Sequence, residues 1–70
     1  MKIPEPEIYL GKKIKVILVD APPIIGELYG FDYDIDDDDN EYLEFDVENE
    51  IGLVATLVEE DIESIEVLRG

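Results

Sequence analysis

The segment Ile24–Tyr33, "IIGELYGFDY", constrains the fold more than any other stretch. It has the β-branched and aromatic content of a strand, yet it carries Gly26 and Gly30. Glycine weakens a strand interior and marks bulges, bends and close backbone approaches. Two in one strand predict a sheet that curves hard, as a small barrel requires. Before it, "KKIKVILVD" reads as a strand with Ile14, Val16 and Leu18 on one face and Ile17 and Val19 on the other. Apolar residues on both faces predict that its far end is covered on both sides. Asp20 and the Pro22–Pro23 pair close it with turn chemistry.

After it, "YLEFDV" alternates, with Leu43, Phe45 and Val47 inward and Glu44 and Asp46 outward. "ENEIG" turns, and "LVATLV" is a fourth strand of β-branched and small residues. The last piece, "IESIEVL", fits two periods. Ile62, Ile65 and Leu68 recur at helical spacing, whereas Ile65 and Val67 alternate; the β context favours strand. Pro4 and Pro6 keep residues 1–7 as an extended lead, with room for at most one turn before Gly11. Residues 8–70 make one domain. The expected class is all-β: a small, strongly bent, five-stranded antiparallel barrel.

A chain of 70 residues buries only roughly 60% of its extended surface. That leaves no room for a core and a walled catalytic cleft together, and no enzyme activity is expected. The apolar share of 46% is that of a folded domain. The net charge is −15, and between Lys15 and Arg69 there is no Lys or Arg. Nucleic-acid binders draw non-specific affinity from Lys and Arg neutralising phosphates, so direct binding of RNA or DNA is disfavoured. No Cys and no His are present. This removes thiolate and imidazole chemistry, both catalytic and metal-ligating. No cofactor and no catalytic residue is assigned. No apolar run approaches the roughly 20 residues of a membrane span, and the start "MKIPEPEIYL" lacks a signal-peptide apolar core. A cytoplasmic location is the expectation.

The acidic stretch "FDYDIDDDDNEYLEFD", Phe31–Asp46, invites a metal reading. Asp34, Asp36 and Asp38 stand at alternate positions and Glu41 follows, so these four are the candidate ligands. The Ca²⁺ loop pattern needs Gly at its sixth position and Glu at its twelfth. Counted from Asp34 those positions hold Asp39 and Phe45; counted from Asp32, Asp37 and Leu43. Neither register fits, and a solvated loop over Asp34–Asn40 is expected instead. The alternative is an acidic cation-binding protein or a nucleic-acid mimic. The mimic's surface would be that loop with Glu44 and Asp46, offered to a basic partner. Lys12, Lys13 and Lys15 are expected to offset nearby carboxylates, and Tyr9, Tyr29, Tyr33 and Tyr42 to pack at the core margin with wet hydroxyls.

Specific residues bring a family into view. "LGKKIKVILVD" followed by "GELYGFD" resembles the first Sm motif: Leu10, Gly11, Lys12 and Lys13, the apolar strand, then Gly26, Leu28, Phe31 and Asp32. The resemblance spans about residues 8 to 68. "DNEYLEF" and "EEDIESIEVL" look like small bacterial and phage LSM-domain proteins. It implies a bent SH3-like barrel and a tendency to assemble through the fourth and fifth strands. Typical Sm proteins hold uracil with an Asp–aromatic–Asn set and an Arg–Gly pair. Asp32 and Tyr33 match the first part, but Asp36–Asp39 stand where the Asn should come, with Asn40 out of register. Glu59 and Glu60 replace the Arg–Gly. The uridine pocket is therefore not carried over. The expected partner is a protein, including a second copy of this chain.

Overall fold

The structure, a computed structural model, describes residues 1–69. Its five strands are β1 (Lys13–Leu18), β2 (Ile24–Ile35), β3 (Glu41–Glu48), β4 (Val54–Val58) and β5 (Ile62–Arg69). They form one antiparallel sheet in the order β4-β3-β2-β1-β5. The first four strands meander. The chain then turns through a short 3-10 segment, Glu59–Asp61, and β5 returns to lie beside β1. The sheet is bent but not closed, so β4 and β5 are its two outer strands.

Two devices in β2 make the bend. A β-carbon on Gly26 would collide with the Glu48 carbonyl oxygen and lie within 2.9 Å of Val47 Cγ1. Only glycine lets β3 approach that closely. Further on, Leu28 pairs with Val47 but Gly30 with Asp46, leaving Tyr29 as an extra residue. Such a bulge bends its strand and shifts the side-chain parity. Inward positions are Gly26 and Leu28 before it, and Phe31, opposite buried Phe45, after it.

The core gathers Ile14 and Val16 of β1, Leu28 of β2, Leu43, Phe45 and Val47 of β3, Leu57 of β4 and Ile62 of β5. The expected alternation of β3 is present without a break. β1 differs from expectation: Val19 lies beyond the strand and is exposed, because the sheet covers only the Ile14–Val16 face. The ambiguous last element is a strand.

The lead carries the one short turn expected before Gly11: Pro6–Tyr9 form a 3-10 segment, which begins two residues inside the part expected to be extended. Pro6 at the first position sacrifices no hydrogen bond, since that N–H would have no partner in the turn. Nor does the lead float free: Ile3 is buried in the core, and the Met1 ammonium donates to the Glu59 and Ile62 carbonyls at 3.0 and 2.9 Å. Tyr9 meets Phe45 edge to face, with ring centroids 6.4 Å apart.

Candidate functional site

The acidic run is a hairpin, not a long loop. Asp34 and Ile35 belong to β2, paired with Tyr42 and Glu41 of β3. The turn is only Asp36–Asn40. Asp36 organises it: its Oδ1 accepts from the Asp38 and Asn40 N–H groups, both at 2.9 Å. The Asp36 N–H in turn donates to the Asn40 carbonyl at 3.0 Å. Asp39 takes the left-handed conformation, φ 61°, which Asp tolerates better than most residues. A carboxylate occupied in this way mimics a backbone turn. Asp36→Ala is therefore expected to cost about 1 kcal/mol in chemical denaturation, while Asp37→Ala stays near wild type.

The four candidate ligands are separated by the hairpin geometry. Asp34 accepts from the Ile35 N–H at 2.8 Å, and Asp36 is turned onto its own loop. Among the described residues no group of three carboxylates converges as a metal shell. Tyr42 reaches back to Asp34 Oδ2 over 3.5 Å. Partial burial, then the charges of Asp34 and Glu44, the contact to Asp34 and the charge of Asp36 raise its phenol above the ordinary value of 10.0. The unfolded chain then loses this proton first, so the contribution to stability falls as pH rises above about 10. Phenolate absorbance of wild type minus Tyr42→Phe is expected to titrate above that value; a midpoint below it would contradict the local field.

The outward face carries like charges in direct opposition. Asp32 stands across from Glu44, and Glu27 across from Glu48. Such pairs oppose folding; Lys13 of β1 stands across from Glu27 on its other side. Asp46, between Glu44 and Glu48 in the same row, accepts from Thr56 Oγ1 at 2.9 Å. Among the described residues the single salt bridge is Lys13–Glu50, 3.4 Å, at the far end of the sheet. Lys13 and Lys15 lie beside Arg69 and Glu66 of β5.

Two features escaped sequence reasoning. Glu59, read only as the residue standing in place of an Arg, is a bracket. Its Oε1 accepts from the Leu43 N–H and its Oε2 from the Ile3 N–H, each at 3.4 Å, tying the lead to β3. No sequence signal points to that. The second is what the turn between β3 and β4 displays; the turn itself was expected at "ENEIG". Asn49 Oδ1 accepts from the Ile51 and Leu53 N–H groups at 3.1 and 3.0 Å, and Gly52 sits at φ 86°. This held turn presents Ile51 and Leu53 at 79% and 63% exposure. An isoleucine inside a turn sequence was the available signal.

Among the described residues no helix is long and apolar enough to cross a membrane. Comparison of the chain with protein-family models, curated proteins and solved structures finds no match.

Proposed function

We propose that this chain is an Sm-like interaction module that takes up a further β-strand at an open edge of its sheet, from another protein or from a second copy. The observation that carries this is the bare outer edge of β4. Leu53–Val58 contains no charged residue and no Pro, and exposed edges lacking such protection invite pairing. Support for the Sm-like reading comes from the motif residues and from the return of β5 beside β1, which leaves β4 and β5 outermost. Glu59 and Glu60 at the β4–β5 corner, with a charge of −15, speak against oligo-uridine as a ligand.

Copies joined head to tail would set β4, backed by the β3 carboxylates, against β5, flanked by Lys13 and Lys15 and carrying Arg69. The local charges are mixed, since β5 also carries Glu63 and Glu66, and the bodies repel. Screening shortens the repulsion, from a Debye length of about 10 Å at 0.1 M salt to about 3 Å at 1 M. Light scattering is therefore expected to show mass rising above 8.0 kDa as NaCl increases. A monomer at every salt concentration would rule out self-assembly.

A further inference from the structure

We infer that the outer edge of β4 receives an extended basic segment of another protein, added as a sixth strand with Lys or Arg at alternate positions. This rests on the strand-accepting reading above and specifies the occupant. Edge strands are commonly blunted by Lys, Pro, a bulge or a covering element. β4 has no Lys, no Pro and no bulge: its register with β3 runs unbroken from Val54 to Val58, and among the described residues nothing pairs on its other side. It offers a straight row of backbone donors and acceptors. The held Ile51–Leu53 turn extends that row with apolar anchors.

The charges around this edge set the side chains of the occupant. One strand in from β4, on the outward face, stand Glu44, Asp46 and Glu48, opposite Val58, Thr56 and Val54. An added strand would lie about two strand spacings, roughly 9–10 Å, from β3. Long cationic side chains at alternate positions would lay their apolar stems over Val54, Thr56 and Val58 and bring their heads to the carboxylate row. No Lys or Arg from residue 16 to 68 competes for that row. On the other face, Leu57 shares a groove of about 330 Å³ with Leu18 and Val19, and Asp20, Glu60 and Asp61 line it too. Its apolar part can take a side chain from an intervening position, and its carboxylates add to the negative field around the edge. A second copy fits less well, because its β5 brings Glu63 and Glu66 with Arg69 on a body of charge −15.

The test uses a fluorescent peptide of about seven residues, a common strand length, alternating Lys and Val. One comparison peptide has the same composition in two blocks, and another has Glu for Lys. Anisotropy and amide spectra of the intact chain are read together. The alternating peptide is expected to bind saturably and shift the Val54–Val58 amides. Its affinity should fall about tenfold or more between 0.1 and 1 M NaCl. The double variant Glu44→Gln, Glu48→Gln should keep the amide spectrum of the free fold and weaken binding by about tenfold. Equal binding of the block peptide, or shifts confined to β5 or the Asp36–Asn40 turn, would overturn the inference. Salt separates it from self-assembly, which strengthens as salt rises while peptide binding weakens. If copies associate through β4 and the peptide is ignored, the module reading stands and the basic occupant falls. If neither occurs, both fall.

Discussion

Gly26→Ala is expected to cost about 3 kcal/mol or more, against a total of roughly 4–10 kcal/mol for a domain of this length. The added methyl would meet backbone, the Glu48 carbonyl, and not the movable end of a side chain. Relief requires β2 and β3 to separate where the sheet bends. Gly30→Ala is the matched comparison. A β-carbon there meets nothing within 4 Å, so the change is expected to be neutral or to stabilise by up to about 1 kcal/mol through the unfolded chain. Urea denaturation of both variants decides. At about 4–8 °C per kcal/mol, the first should melt some 12–24 °C below wild type. Equal behaviour of the two would mean that the close approach at Gly26 is not what shapes the sheet.

Phe45→Ala is expected to lose about 3–5 kcal/mol, enough to populate the unfolded state without denaturant. Phe45 is fully buried, packed edge-on by Tyr9 and opposite Phe31. Truncation removes the largest side chain of the core and leaves a void beside Tyr9, Phe31 and Leu57. Phe45→Leu, which keeps most of the volume, should cost under about 1.5 kcal/mol. Circular dichroism with amide spectra separates the two. A well-dispersed spectrum for the alanine variant at wild-type stability would show that the core collapses around the gap.

The alternation of β3 could be read directly, because Leu43, Phe45 and Val47 face a core while Glu44 and Asp46 face water. The bend in β2 was likewise announced by its glycines. Their unequal roles were not, since Gly26 is pressed by a backbone far along the chain and Gly30 is open on that side. β5 looked both helical and extended for a physical reason. Ile62 pairs with Leu18 and Ile65 with Val16, so the register shift around Glu63 puts residues three apart on one face. Beyond it the true face continues with Val67, opposite Ile14, while Leu68 is an unpaired extra residue that only mimics the helical spacing. In the acidic run, the separate duty of Asp36 was not visible, because turn formation selects one of several identical residues. Val19 was misplaced for want of knowing where the sheet ends.

The return of β5 to β1 also fixes the order in which the protein can be completed. Strands β1 to β4 are neighbours in sequence and can pair in turn as they are made, each closing a short loop. β1 keeps one side unpaired, with Ile14 and Val16 poorly covered, until Ile62–Arg69 arrive from more than forty residues later. Ile62, the single fully buried residue of β5, is what that strand adds to the core. A nascent chain that has not yet reached it carries two adhesive strands, β1 and β4, on a half-made sheet. The dense negative charge made by then, most of it on β2, β3 and the turn between them, keeps neighbouring chains apart during that interval.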